Sequence, residues 1–183
     1  MDELRFSFSE AKALAALALI AKTRPGLTPL YVAKIMYFAE RMHINRYGRP
    51  IVADDFIAMP QGPVPSTIKN YIDEKWNWVE RPELIAEAIS IDKTSRWARL
   101  MPAATPYDLS SLSETDVECL LEAVLFCTPK TADELSSITH RHAAWLKAPK
   151  NRSMDYRDFI DDTNASREEI VDMLEQCSMS EVL

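Results

Sequence analysis

Three histidines and three cysteines are the residues of this chain whose side chains could hold a zinc ion. His140 and His142 are separated by one residue in a stretch whose pattern predicts a helix, where positions two apart point to opposite sides. A helical zinc pair needs ligands four residues apart, as in His-Glu-x-x-His, and that spacing is missing. Cys119 and Cys127 fall in an amphipathic helix without a Cys-x-x-Cys partner. We therefore expect no metal site and no cofactor.

The aspartates near the carboxyl end have a spacing that could chelate Mg²⁺. The pattern is Asp-x-x-Asp-x-x-Asp-Asp, formed by Asp155, Asp158, Asp161 and Asp162. Magnesium sites are usually completed by substrate phosphates, and no phosphate-binding sequence accompanies these residues. The chain also has no Gly-x-Ser-x-Gly, Walker or Gly-x-Gly-x-x-Gly sequence. We therefore assign no catalytic residue and expect a protein that is not an enzyme.

Length and composition favour one helix-rich globular domain over residues 1–183. Of the 183 residues 47% are hydrophobic, and only three glycines are available for backbone with positive φ. The first residues are acidic rather than basic, and the longest apolar stretch, Ala13 to Ala21, is under half of the roughly 20 residues that a membrane span needs. The odd number of widely spaced cysteines fits a reducing compartment. We expect a cytoplasmic protein without a membrane partner.

Helix start signals precede the long segments with helical periodicity. A capping-box pattern over 7–10 precedes a helix to Lys22, and Thr28 precedes a longer helix that ends at Gly48. Further start signals stand at Ser113, Thr131 and Ser166. We expect the second of these three helices to continue toward Trp145.

The segment between the two helical halves predicts β-structure. Phe56 to Met59 has the composition of a short strand, whereas 59–65 holds three prolines around one glycine and is predicted to be a stiff loop that enters a helix. Residues 88–91 and 97–101 predict a hairpin, which could form one small antiparallel sheet with the strand near Phe56. The predicted fold is mainly α (α+β), a single-domain helical body with a small antiparallel β-hairpin or sheet insertion.

Charge is distributed unevenly along the chain. Residues 151–183 hold nine acidic residues and three arginines, a net charge of −6 out of −7 for the whole chain. The stretch 22–49 holds six lysines and arginines against Glu40 alone, a local charge of +5. Either both are solvated surfaces that keep the protein soluble, or the acidic end engages a basic partner whose binding weakens as salt rises.

Ten residues between positions 34 and 64 form a pattern that is seen in a known family. A lysine, two aromatic residues and an alanine lie on one helix, a Gly-x-Pro exit follows, and a strand then leads into a Gly-Pro-Val segment. These residues are Lys34, Tyr37, Phe38, Ala39, Gly48, Pro50, Phe56, Gly62, Pro63 and Val64. The region Leu30 to Ile72 resembles the Panacea domain of SocA-like antitoxins, and Thr139-His140 followed by Trp145 is similar to a later, weaker feature.

Physical chemistry gives most of these residues a structural role. Gly48 ends a helix, the prolines restrict the corner between strand and helix, and Tyr37 with Phe38 fills that corner. The Lys34 amine lies among apolar residues, so it must reach water or find a carbonyl or carboxylate partner. It either organises the loop at Gly62 or contacts a ligand, and we favour the structural role.

The resemblance implies a protein-binding function. Antitoxins of this family neutralise a toxin protein encoded beside them, and the founding member is understood as a proteolytic adaptor that delivers its toxin to ClpXP. We therefore expect a cognate toxin of a type II-like toxin–antitoxin pair as the partner, with the ClpX unfoldase as a further candidate. The residues that could contact a partner are Trp76, Trp78, Trp145, Asp155, Asp158, Asp161 and Asp162.

Two other functions stay open at this point. A DNA-binding autorepressor would use the basic residues Arg41, Arg46 and Arg49, although a sequence pI near 5.0 disfavours phosphate contacts, so nucleic acid is not the expected partner. A small hydrolase would need a dispersed set of acid and base residues. Its candidates are His43, Asp54, Asp55 and His140.

Overall fold

In the computed structural model, which describes residues 4, 6–75 and 81–180, the chain forms eight α-helices, two β-hairpins and one 3-10 helix. The helices are α1 (Glu10–Thr23), α2 (Pro29–Tyr47), α3 (Ser66–Ile72), α4 (Pro82–Ala88), α5 (Glu114–Cys127), α6 (Ala132–Thr139), α7 (Ala143–Lys147) and α8 (Arg167–Ser180). The strands are β1 (Phe56–Met59), β2 (Gly62–Pro65), β3 (Ile89–Asp92) and β4 (Arg99–Pro102), and the 3-10 helix spans Tyr156–Phe159. The predicted fold class, mainly α with a small antiparallel β insertion, is confirmed.

The helices α1, α2 and α5 form the centre of the fold. α5 packs along α2 and also contacts α1. Nine consecutive residues of α1, Ala13–Ala21, are buried, which explains why this helix is apolar on every side. The N-cap of α1 is Ser9, so the predicted capping box over 7–10 is wrong. The Glu10 carboxylate instead accepts from the Tyr71 hydroxyl.

The other helix signals give a mixed result. α2 begins at Pro29 after Thr28 and is followed by left-handed Gly48, as predicted, and both Ser113 and Thr131 close capping boxes. The predicted continuation toward Trp145 is wrong, because α6 ends at Thr139 and a separate α7 follows. The residue before α7, His142, has extended backbone and a side chain bound in the core, which interrupts the helix.

The segment with three prolines forms a strand rather than the predicted loop. β2 pairs antiparallel with β1 in a register that sets Pro63 opposite Ala58. The Ser66 N–H donates to Asp55 O, toward the side of β1. Because N–H groups alternate in direction along a strand, only every second residue counted back from Ser66 points its N–H group toward β1. The two prolines of β2 stand at the positions between them. They therefore remove no hydrogen bond from the pairing with β1.

The two hairpins are separate two-stranded sheets, so the predicted single sheet is wrong. The outer edge of β4 is bound by the loop between α1 and α2, where the Leu100 N–H donates to Leu27 O. The outer edge of β1 is bound by the segment after α7, where the Ala58 N–H donates to Arg152 O. Because these edges are already paired with other parts of the chain, β1 and β4 do not meet.

The helices in the part of the chain that the structure describes are not suited to crossing a membrane. None of its helices combines the length and the apolar character that crossing a bilayer requires.

Candidate functional site

Lys34 is the charged residue of the family pattern. It lies on α2, and its amine is inside the protein. Only 1% of Lys34 is exposed. Its Nζ donates to the carbonyl oxygen of Gln61 and lies 3.2 Å from Thr139 Oγ1. Burial lowers the pKa of this amine to about 8, against an opposing effect of the Cys127 thiol. The amine thus joins α2 to the turn between β1 and β2 and to the end of α6.

Gly62 leaves the space that this amine occupies. It has φ 103°, a conformation that favours glycine, and a Cβ there would overlap Lys34 Nζ and stand 2.5 Å from Thr139 Oγ1. The Ser136 hydroxyl adds a hydrogen bond of 3.0 Å to the Gln61 carbonyl. Both the backbone conformation and the lack of space therefore require glycine at this position.

Tyr37 lies one turn after Lys34 and binds His142, a residue that the sequence analysis did not assign to the site. The Tyr37 hydroxyl lies 3.0 Å from His142 Nδ1, and the rings stack with centroids 5.7 Å apart. Burial, reinforced by the charge of Arg41, lowers the pKa of His142 to about 4, so the ring is neutral at pH 7. Burial raises the pKa of Tyr37, so its hydroxyl also stays protonated. Phe38 meets the His142 ring edge on at 5.8 Å.

The remaining pattern residues also occupy packed positions. Ala39 is fully buried on α2, and the Phe56 ring packs edge to face on Phe159 with centroids 5.5 Å apart. A Cβ on Gly48 would stand 2.8 Å from the side chain of Met173. Pro63 is buried, whereas Pro50 and Val64 are half-buried.

Trp145 lies beside this cluster and borders an open groove. Its Nε1 donates to Met59 O at 3.0 Å, and its ring stacks on His140 with centroids 4.0 Å apart. The groove has a volume of about 370 Å³ and runs between the turn after β1 and helix α7. Leu146, which also lines it, is 62% exposed. This is an apolar depression directly next to the family-pattern residues.

The predicted partner-contacting aspartates each have a cationic neighbour within the chain. Asp155, Asp158, Asp161 and Asp162 pair in that order with Arg157, Lys147, Arg41 and Arg167. These contacts hold the segment after α7 against α2 and α8. That these aspartates also meet a partner stays a prediction. Trp76 and Trp78 lie outside the described residues.

Two of the three basic residues proposed for DNA binding are paired with carboxylates of α5, and the third is paired with Asp161. Arg46 Nη1 lies 2.7 Å from Glu122, and Arg49 Nη1 lies 3.2 Å from Asp116. Arg41 is the ion-pair partner of Asp161 already described. Three of the six cations in the stretch 22–49 are therefore paired with carboxylates of the folded chain.

The four hydrolase candidates do not form one site. Buried His43 has Nε2 3.1 Å from Asp116 Oδ1, whereas Asp54 accepts the backbone N–H groups of Thr67 and Ile68 in α3. Asp55 accepts from a hydroxyl of the segment after α7, and His140 stacks on a tryptophan. No hydrogen bond among the described residues joins a histidine of this set to one of its aspartates. Nor do those residues include a group of three or more His, Cys, Asp or Glu that could hold a metal ion.

Glu40 is a further buried charge that the sequence analysis did not single out. Its carboxylate accepts three backbone N–H groups, from Ile51 at 2.6 Å, Val52 at 2.8 Å and Ala53 at 3.1 Å. Burial raises the pKa of Glu40 despite these bonds. The signal was present in the sequence, since Glu40 is the single acid of the basic stretch and stands among core positions of α2.

A comparison with family models supplies the family. The model described as antitoxin SocA-like, Panacea domain, matches residues 32–146, more than half of the chain. The match includes all ten pattern residues, the partners of Lys34 and both Trp145 and Leu146. Comparisons with curated proteins and with solved structures found no match. The chain therefore belongs to the family of SocA-like antitoxins with a Panacea domain.

Proposed function

We propose that this chain is the antitoxin of a type II-like toxin–antitoxin pair, which binds and neutralises a cognate toxin protein in the bacterial cytoplasm. The observation that carries the proposal is the family match over residues 32–146. Neutralisation by binding requires a stable scaffold and a surface that fits the toxin.

The family pattern supports a binding function because its polar groups are used to hold the scaffold together. Lys34, Tyr37 and Gly62 are buried and contact neighbouring elements of the same chain. Groups engaged in this way are not free to meet a substrate. Recognition then falls to residues at the surface around them, as expected of a protein that binds another protein.

The groove beside Trp145 is the surface that we propose for the toxin contact. It combines a half-buried tryptophan, whose indole N–H is already bonded to Met59 O, with the exposed side chain of Leu146. A rigid aromatic wall beside an exposed aliphatic residue is the kind of anchor that dominates protein interfaces. An apolar side chain of the toxin would fill the groove.

Two exposed leucines allow a matched test of this contact. Leu146 lines the groove, whereas Leu125 lies on α5 and is 72% exposed. Leu146→Glu should weaken toxin binding by about tenfold or more, because a truncated or charged anchor typically costs over 1 kcal/mol. Leu125→Glu adds the same charge at an exposed site and should leave the affinity within about twofold. Equal affinities of the two variants would remove the groove from the interface.

The gene adjacent to this one provides the test of neutralisation in cells. Its product, expressed alone, should stop growth, and co-expression of this chain should restore growth. We further propose delivery of the toxin to ClpXP. In that case the toxin disappears in cells with ClpX and accumulates without it. Persistence of an intact complex in cells with ClpX would instead show inhibition by occlusion, and a lack of rescue would refute the antitoxin function.

A further inference from the structure

The hairpin of β3 and β4 carries an exposed tryptophan among arginines that form no ion pair with any described carboxylate. Trp97 is 60% exposed, and the guanidinium carbon of Arg96 lies 5.2 Å from its ring centroid. Arg24 follows α1, and together with Arg99 of β4 it lines an open depression of about 410 Å³. We call Arg24, Arg96, Trp97 and Arg99 the hairpin patch.

Hydrogen bonds hold Arg99 of the hairpin patch in place. The Arg99 guanidinium donates from Nη1 to Gly26 O at 2.9 Å and from Nε to Ser95 Oγ at 3.2 Å. The Ser95 hydroxyl donates to Trp97 O at 2.8 Å. The arginine therefore joins the loop after α1 to the tip of the hairpin. A guanidinium group fixed in this way loses little conformational entropy when a partner binds.

The hairpin patch differs in its charge balance from most other arginine sites that the structure describes. Six arginines elsewhere have carboxylate partners, namely Arg41, Arg46, Arg49, Arg81, Arg157 and Arg167. At the patch, Asp92 stands opposite Arg99 in the strand register, and Lys93 is paired with Glu74. Three arginines with one half-buried aspartate beside them leave a net positive surface.

We propose that the hairpin patch binds an acidic polypeptide segment of a partner protein, with an apolar side chain of that segment against Trp97. Carboxylates would meet the guanidinium groups of Arg24, Arg96 and Arg99, which present their donors in a fixed fork. The tryptophan would supply the apolar contact that a purely ionic surface lacks. This inference goes beyond the proposed function, since it does not require the segment to belong to the toxin.

The charge pattern favours a peptide over a nucleic acid. Nucleic-acid binding depends on a track of cations that follows several phosphates. The arginines that are paired with carboxylates do not extend the hairpin patch into such a track, and the chain as a whole has a net charge of −7. A short acidic segment needs only the few charges that the hairpin patch provides.

Two double variants with the same change in charge test this inference. Arg24→Ala/Arg96→Ala removes two patch arginines whose side chains form no hydrogen bond within the described structure. Arg141→Ala/Arg152→Ala removes two exposed arginines of the same kind elsewhere. The probe is a fluorescently labelled 12-residue peptide of glutamate and aspartate with one central phenylalanine, titrated with the full chain and followed by fluorescence anisotropy. A lysine version of the peptide and a 12-nucleotide oligothymidylate serve as comparison probes.

The inference predicts saturable binding of the acidic peptide that weakens about tenfold between 50 and 300 mM salt. Arg24→Ala/Arg96→Ala and, separately, Trp97→Ala should each weaken it by about tenfold, whereas the control variant should stay within about twofold. Absence of binding, equal loss in both double variants, or tighter binding of the oligonucleotide would overturn the inference. Sedimentation shows whether the chain self-associates. An anisotropy change that depends on self-association would also overturn the inference, because a second copy of the chain would then occupy the hairpin patch.

Discussion

At the scale of the residue, Lys34 is an amine held by two uncharged acceptors. The Gln61 carbonyl and the Thr139 hydroxyl bind Nζ, but neither neutralises an ammonium group. Burial therefore disfavours the charged form and lowers the pKa to about 8. At pH 7 the folded state holds a cation in an apolar site, and its hydrogen bonds offset only part of that cost.

This arrangement predicts a pH dependence that Lys34→Met should remove. The pKa of Lys34 is lower in the folded chain than the ordinary 10.5, so between about pH 8 and pH 10 the unfolded state binds more protons. The stability of the natural chain relative to Lys34→Met should therefore rise by about 2–3 kcal/mol from pH 7 to pH 10. Urea unfolding of both chains at the two pH values measures the difference. A difference that does not change with pH would contradict the buried-amine account.

Gly62→Ala tests the space around the same amine, with Gly26→Ala as its control. Both glycines have positive φ, at 103° and 84°, but a Cβ meets Lys34 and Thr139 at position 62 and nothing within 4 Å at position 26. Backbone strain alone should cost about 1 kcal/mol at Gly26, and overlap should raise the loss to about 3 kcal/mol at Gly62. Denaturation midpoints measure both. Equal losses would show that the Lys34 amine does not fill the space at Gly62.

The sequence identified Lys34 and its structural role at the loop of Gly62, but not the individual groups that bind the amine. An amine among apolar residues must have a partner, so its importance follows from its type and position. The partners do not follow, because one is a backbone carbonyl and the other, Thr139, is 105 positions away. Only the path of the chain brings α6 and the turn before Gly62 to the amine.

At the scale of the element, the N-terminus of α5 depends on one carboxylate. Asp116 closes the capping box with Ser113 and lies 2.8 Å from Lys12 Nζ and 3.1 Å from His43 Nε2. Although burial opposes ionisation, hydrogen bonds from His43 and Lys12 hold the pKa of Asp116 well below its usual range. The carboxylate therefore links α5 to both α1 and α2.

Asp116→Asn should destabilise the protein far more than Glu134→Gln, the equivalent change in the capping box of α6. The Asp116 carboxylate is buried and has two half-buried cationic partners, Lys12 and Arg49, so we expect a loss of about 3 kcal/mol at pH 7. Glu134 is exposed and caps only its own helix, so the loss there should be under about 1 kcal/mol. Because the folded pKa of Asp116 is depressed, its contribution is lost as the pH falls below about 4. The gap between Asp116→Asn and the natural chain in urea unfolding should shrink there, and a constant gap down to pH 3 would contradict this role.

Secondary-structure elements could be predicted where the residues that determine them lie close together in the sequence. The start of α2 at Pro29 and the capping boxes of α5 and α6 depend on residues within one turn, so the sequence alone identifies them. Strand β2 was not predictable, because a proline interrupts a strand only if its missing N–H faces the partner, which the pairing decides. The break between α6 and α7 likewise depends on the distant bond of His142 to Tyr37.

At the scale of the whole molecule, α2 organises the other elements. It packs against α3, α5, α6 and α8 and against strand β2. The family-pattern residues on α2 face these contacts, so the groove and the hairpin patch are built from the elements around it. Substitutions of the family-pattern residues should therefore change the stability of the fold, whereas substitutions at the groove should change the affinity for the toxin.

The separate roles of the pattern residues and the groove can be tested by measuring the thermal midpoint and the toxin affinity of the same variants. Gly62→Ala should lower the midpoint by several degrees, since about 1 kcal/mol shifts it by about 2–4 °C in a chain of this length, and should keep the affinity of its folded fraction. Leu146→Glu should keep the midpoint and lose affinity. The opposite assignment, a stable Gly62→Ala protein that no longer binds, would show that the buried pattern contacts the toxin directly.

The most direct test of the central claim is calorimetric titration of the purified chain with the purified product of the adjacent gene. The account predicts a saturable complex of fixed stoichiometry with a Kd below about 1 µM. It also predicts that Leu146→Glu weakens this complex and that Leu125→Glu does not. Absence of heat and of a complex with a folded, toxic neighbour protein would contradict the claim that this chain neutralises its toxin by binding it.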